Sequence, residues 1–254
     1  MAQGAISVGP AFAATLAALT VVAALAAVVG RIGVSRAVVT ASARAILQLA
    51  VVSLVIAAVL RSWWTTAAFI ALMLAVAAVT SARRVGTVRL GWAVTAPIAA
   101  GALPVGAGIV ATGTMPRTTI SVLPIAGILI GGAMTATSLA GRRALDELRN
   151  RHGEYEAALA LGFLPRDAAL EVCRPPSGQA LVPALDQTRT VGLVTLPGAF
   201  VGVLLGGGSA LQAGATQVLV LVALLAVEAV AVAVTVELVA AGIIRRLTTN
   251  AGGR

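Results

Sequence analysis

Glu228 and Glu237 are the only acids in the apolar run that closes the chain, and Glu228 lies midway along it. An ionised carboxylate at the centre of a bilayer costs about 3 kcal/mol or more, so Glu228 must be neutralised, paired or turned towards a polar cavity. Two chemistries fit: a cation ligand or proton relay, or a carboxyl bonded to a neighbouring Ser or Thr in a bundle. Glu237 follows nine residues later, which at 100° per residue puts it on the opposite face. An ion pair with a loop arginine suits it better than transport. Gln48 comes one helical turn after Arg44, so both share a face. They line a substrate entrance, or Arg44 snorkels to the headgroups while Gln48 hydrogen-bonds between helices. Met134 offers a thioether, suited to packing or to soft ligation. These four residues, Glu228, Gln48, Arg44 and Met134, are the substrate-pathway candidates, with Glu228 the one candidate metal ligand.

Other chemistry is excluded by composition. All eighteen basic residues are arginine, and the chain has one cysteine, Cys173, and one histidine, His152. Without lysine there is no Walker A loop and no Schiff base, so the chain cannot itself be a P-loop ATPase. One Cys and one His supply neither a disulfide nor a Cys/His zinc site. No span carries His-Glu-x-x-His, a Ser/His pair or paired aspartates, so no catalytic residue is expected. A net charge of +9 raises the question of nucleic acid. The arginines fall in short clusters between apolar runs, without a basic aromatic face, and that pattern belongs to cytoplasmic loops of a membrane protein.

The elements that must carry these residues are membrane helices. The composition is 59% hydrophobic and 11% charged, and long uncharged runs need a lipid solvent. The pattern predicts an all-α, polytopic protein with about seven spans at residues 12–30, 45–60, 67–81, 90–112, 120–140, 191–205 and 218–244. The second, third and sixth are short of the ~20 residues that cross a bilayer, so they should extend into their flanks. Sixteen arginines fall on one side: Arg31, Arg36, Arg44, Arg83, Arg84, Arg89, seven between residues 142 and 189, Arg245, Arg246 and Arg254. Only Arg61 and Arg117 fall on the other. The positive-inside bias sets the C-terminus in the cytoplasm and the N-terminus outside, in a plasma membrane. Residues 1–30 lack a basic n-region, so the first run is expected to stay as a span. Trp63 and Trp64 flank Arg61 at the outer interface.

One loop is long. Residues 142–189 hold seven arginines and seven of the nine acids, a structured, locally neutral cytoplasmic piece inserted between spans five and six of a single permease domain covering residues 1–254. Residues 142–151 continue the fifth helix, Gly153 interrupts it, and Glu154–Leu161 forms a short helix. Gly162 suits that helix's C-terminus and Pro165 the first turn of the next. There Leu164, Ala168 and Val172 make one apolar stripe, ended by Pro175-Pro176. Such a helix lies on lipid or docks into a partner's groove.

Glu156-Ala157-Ala158, Gly162 and Val172-Cys173-Arg174-Pro175 resemble the EAA signature of ABC-transporter permeases, with Val for Ile and Arg174 in place of Leu. The resemblance implies that Glu156, Ala157, Ala158, Gly162, Leu164, Ala168 and Val172 couple the chain to an ATP-hydrolysing subunit. Four further blocks are similar to the FetB-type permeases, proposed iron exporters with plant relatives linked to aluminium tolerance. These are Ala43 to Leu49, Leu123 to Gly131 with Ala133-Met134, Glu156 to Gly162, and Thr190 to Gly198. The implied molecule is a homodimeric, metal-exporting permease subunit that pairs with a FetA-like ATPase. It binds no cofactor itself, and ATP and Mg belong to the partner.

The glycines read as packing. Gly127-x3-Gly131 and Gly198-x3-Gly202-x3-Gly206 put small residues on one helix face, allowing spans five and six to approach each other or a second copy. Pro97, Pro104, Pro124 and Pro197 permit kinks. The competing reading is a cation transporter driven by an ion gradient through Glu228. Such transporters carry internal repeats, and the two halves of this chain show none.

Overall fold

The computed structural model describes residues 9–87 and 91–245. Arg89, Leu90, Arg246 and Arg254, used above for topology, lie outside the described residues. The described residues form ten α-helices and one 3-10 turn, and six of the helices are long and apolar enough to cross a membrane. The chain is an all-α, multi-pass membrane protein. It gathers into two compact units, residues 1–62 and 63–254.

The first unit is a helical hairpin. Helix α1 (Pro10–Val29) starts with Pro10 in its first turn, where the missing N–H costs nothing, and packs on α2 (Ser35–Val59). The turn between them uses left-handed backbone at Arg31 and Gly33. The spans predicted at 45–60 and 67–81 do extend into their flanks. Arg44 and Gln48 are exposed on α2.

The second unit is built on four helices: α3 (Trp63–Val85), α4 (Gly91–Ala111), α5 (Thr119–Asn150) and α10 (Ala210–Ala240). Each of α4, α5 and α10 packs on the other two, and α3 packs on α4 and α5. The shared core is made of small and branched residues, among them Ala77, Ile98, Ala102, Leu129, Ala133, Ala136, Val227 and Ala231. Lipid gives no hydrophobic drive to helix association, so close backbone approach must supply it. Two glycines do this. A Cβ on Gly101 would fall 2.5 Å from the Val227 carbonyl oxygen, and one on Gly132 would collide with Leu224 and lie 2.9 Å from Glu228 Oε1. Gly101→Ala therefore wedges α4 from α10. It should destabilise by about 1–3 kcal/mol, seen as a fall of several degrees in the melting temperature of the solubilised protein. Gly131→Ala, with nothing within 4 Å of a Cβ, is the silent control.

The predicted sixth span is broken rather than continuous. Helix α8 (Val182–Thr190) gives way to a tight turn, with Gly192 at φ +80° and its N–H donating to the Thr195 carbonyl. Pro197 then precedes α9 (Gly198–Leu205), only eight residues long. An eight-residue helix rises about 12 Å, far short of a bilayer. The run of apolar residues at 191–205 was legible, but its Gly and Pro punctuation breaks the helix. Both α8 and α9 pack on α10. Helix α10 starts earlier than predicted because Ser209 and Gln212 close a reciprocal capping box at its N-terminus.

Candidate transport pathway and coupling loop

The long loop at residues 142–189 is an anchored structure. Helix α5 runs on to Asn150, and α6 (His152–Ala160) follows after a break at Arg151, two residues before the predicted interruption at Gly153. Arg151 donates to Glu154 at that junction, and this hydrogen bond holds the Glu154 carboxyl below its usual range. Gly162 has φ +91°, the left-handed backbone that glycine adopts without strain. Helix α7 (Pro165–Ser177) begins with Pro165, carries Asp167 in its first turn and runs through Pro175 and Pro176 rather than ending at them. Within its last turn a proline still fits, because only one or two hydrogen bonds are forfeited there.

The apolar stripe of α7 faces inward. Ala168 and Val172 are 0% and 2% exposed, and with Ala169, Leu170 and Cys173 they bury against the chain itself, where α7 packs on α5 and α10. They cannot be contact residues for a partner, as the stripe alone suggested; they fasten the loop to the membrane helices. Cys173 donates to the Ala144 carbonyl, and burial pushes its thiol up to about 11 from 9.0. Between those two values the unfolded chain ionises and the folded chain does not. Stability supported by this burial is complete below pH 9 and is lost as pH rises towards 11. The thiol should resist a charged maleimide at pH 8 until the loop unfolds, as mass spectrometry of labelled protein would read.

What remains outside is the α6–α7 corner. Leu161, Phe163 and Leu164 are 80%, 45% and 68% exposed, an apolar knob around Gly162. Sequence reasoning had singled out Leu164 but missed Leu161 and Phe163, which flank Gly162 in the open. Glu156 is exposed too, with His152 Nε2 3.3 Å from its Oε1, and Ala157 and Ala158 lie on the same short helix.

Glu237 meets the loop arginines expected of it. Arg174 donates to its Oε1 at 3.0 Å and Arg166 to its Oε2, so two residues of α7 clasp the C-terminal end of α10. Asp167 pairs with Arg166 alongside.

Glu228 lies nine residues up the same helix. It is 7% exposed, seated against Gly132 and Leu224, and among the described residues no hydrogen bond or ion pair reaches it. Its partner in register is Gln217, which the sequence reading did not pick. Eleven residues separate them, so at 100° per residue they share a face, with Leu221 and Leu224 between. Gln217 is 4% exposed and its amide oxygen has no hydrogen-bond partner. It lines a cleft of about 1260 Å³ set between α5, α9 and α10, whose polar lining also includes Gln187, Gln212, Thr216, Thr114 and Ser121. The lining runs along α10 from Gln212 to Leu224 and takes Gln187 from α8.

The remaining candidates are dispersed. Met134 is half-buried in α5 and packs against the core of this unit. Gly127 packs on Met73 of α3, where a Cβ would lie 2.9 Å from the methionine's methyl. Gly198 and Gly202 line the cleft and Gly206 closes the end of α9; no contact joins α5 to α9 within the chain. Among the described residues no three His, Cys, Asp or Glu side chains converge as a metal cage.

A family model described as "Uncharacterised protein family (UPF0014)" matches residues 11–244. UPF0014 membrane protein STAR2 of Oryza sativa subsp. japonica is 35% identical over 195 residues, covering 75% of this chain and 68% of its own length. Protein ALUMINUM SENSITIVE 3 of Arabidopsis thaliana is 35% identical over 182 residues, 70% of this chain and 66% of its own. The probable iron export permease protein FetB of Escherichia coli is 32% identical over 124 residues, 47% of this chain and 48% of its own. No solved structure matches.

Proposed function

Since this chain belongs to the UPF0014 membrane protein family, we propose that it is the membrane-spanning permease subunit of an ATP-binding-cassette exporter of a metal ion, iron first. The observation that carries this is the construction of the loop. Its buried stripe and the Glu237 clasp join it to α5 and α10, while the knob of Leu161, Phe163 and Leu164 stands free. A segment anchored to the transport helices at one side and apolar at the other suits transmission of force from a partner. The chain lacks lysine, so ATP and Mg are bound on that partner, a FetA-like ATPase.

In this reading the knob enters a cleft on the ATPase, and its displacement is passed through Arg166 and Arg174 to Glu237 and along α10. Helix α10 carries both Gln217 and Glu228, so one rigid element links the energy source to the cleft. The broken sixth span supports the same reading. Non-helical backbone at membrane depth is tolerated where it lines a cavity, and the 191–197 turn leads directly into the lining residues Pro197 and Gly198. Counting the broken segment as a pass keeps the N-terminus outside and the C-terminus in the cytoplasm of a plasma membrane. The exposed Leu193, Val194 and Leu196 offer a face for a second copy, giving a homodimer with two ATPases.

Co-expression with an ATP-binding-cassette ATPase should yield a stable complex with vanadate-sensitive ATP hydrolysis. Glu228→Gln should assemble normally and reduce iron efflux several-fold. Unchanged efflux would reduce Glu228 to a packing residue, and failure to form any complex would overturn the permease reading.

A further inference from the structure

Resting on the metal-export reading, we infer that the cleft between α5, α9 and α10 receives the metal as an uncharged, oxygen-rich complex rather than as a bare cation. Size is the first reason. Six waters around an ion occupy about 180 Å³, whereas the cleft holds about 1260 Å³, beyond the few hundred needed for a small organic ligand. Charge is the second. Among the described residues no ionised side chain lines the cleft, and a di- or trivalent ion stripped of water without carboxylates is strongly disfavoured.

The polar groups that are present suit a neutral guest. Gln217 is buried, its amide oxygen is unsatisfied, and it is held in the cleft wall by α10. A buried polar atom left without a partner costs about 1–3 kcal/mol, and a rotation of the Gln217 side chain that turns its amide into the cleft would let a ligand recover that cost. Gln187 of α8 adds a second carboxamide facing the same space. Each carboxamide supplies two donors and an acceptor, complementary to ligand oxygens and to bound water. Ile125, Ile128 and Leu221 give apolar wall for a carbon skeleton. Glu228 is not among the lining residues; Leu224, which like Glu228 closes on Gly132, is.

The test is equilibrium dialysis of radioactive iron with the full chain in lipid nanodiscs. Three probes are used: the uncharged tris-maltolate complex of iron(III), iron(II) alone, and the anionic citrate complex of iron(III). The tris-maltolate complex should bind saturably and best. Gln217→Leu, which keeps the volume and removes the orphaned group, should weaken it about tenfold. Gln217→Glu should shift preference towards iron(II). Tighter binding of iron(II) than of the uncharged complex by the native chain, or an affinity unmoved by Gln217→Leu, overturns the inference and leaves the export reading standing. Equal binding of metal-free maltol overturns the metal-export reading itself, as does binding of no iron species.

Discussion

Replacing Phe163 or Leu164 with aspartate should abolish binding of the ATPase subunit while leaving every helix folded. Both side chains are exposed, so no core contact is lost, and a surface substitution away from caps and core usually changes stability by less than about 0.5 kcal/mol. At an interface the arithmetic differs. A buried aromatic or aliphatic anchor is worth about 2 kcal/mol or more, and burying an unpaired carboxylate in its place adds to the loss. The dissociation constant should rise at least about thirtyfold, measured by surface plasmon resonance of the ATPase over nanodisc-held permease. Val172→Asp gives the contrast. Val172 is buried, so this change should collapse the loop on its own chain and lower the melting temperature, which distinguishes anchoring from docking.

Reversal of the clasp should separate binding from coupling. Glu237→Arg sets a third guanidinium against Arg166 and Arg174 on α7, replacing two attractions with two repulsions. Exposed ion pairs contribute only about 0–1 kcal/mol each, so the helices remain folded and the knob still docks. The tie between α7 and α10 is broken. Transport per ATP hydrolysed should fall about tenfold with ATPase binding unchanged, and the swap Glu237→Arg with Arg166→Glu and Arg174→Glu should restore it. High salt should mimic the single reversal in part, since the clasp is exposed.

Much of this arrangement was legible in residue spacing. Continuous apolar runs gave the six long helices, because a span needs no partner to declare itself. The opposite face of Glu237 and the nearby loop arginines anticipated the clasp. Gly162 and Pro165 marked the loop's turn because their backbone preferences are local. The failures are tertiary. An apolar stripe at residues 164, 168 and 172 says that a face is buried, not against what, and here α5 and α10 cover Ala168 and Val172. The sixth apolar run hid a broken element, although Gly192 and Pro197 carried the signal. Gln217 was overlooked because a neutral amide in an apolar run draws less notice than a carboxylate. Its eleven-residue spacing from Glu228 was the available clue. Of the two tightest glycine contacts of α10, Gly132 opens a Gly132-x3-Ala136-x3-Ala140 run that was there to be read, whereas Gly101 belongs to no small-xxx-small run and only the packed helices reveal it.

The most direct measurement is iron movement in sealed vesicles that contain the chain with or without an ATP-binding-cassette ATPase. ATP enclosed or supplied on the loop side should drive accumulation on the opposite side only when both subunits are present, and vanadate should stop it. Gradient-driven iron transport by the chain alone, indifferent to ATP, would contradict the permease assignment and favour a secondary transporter acting through Glu228.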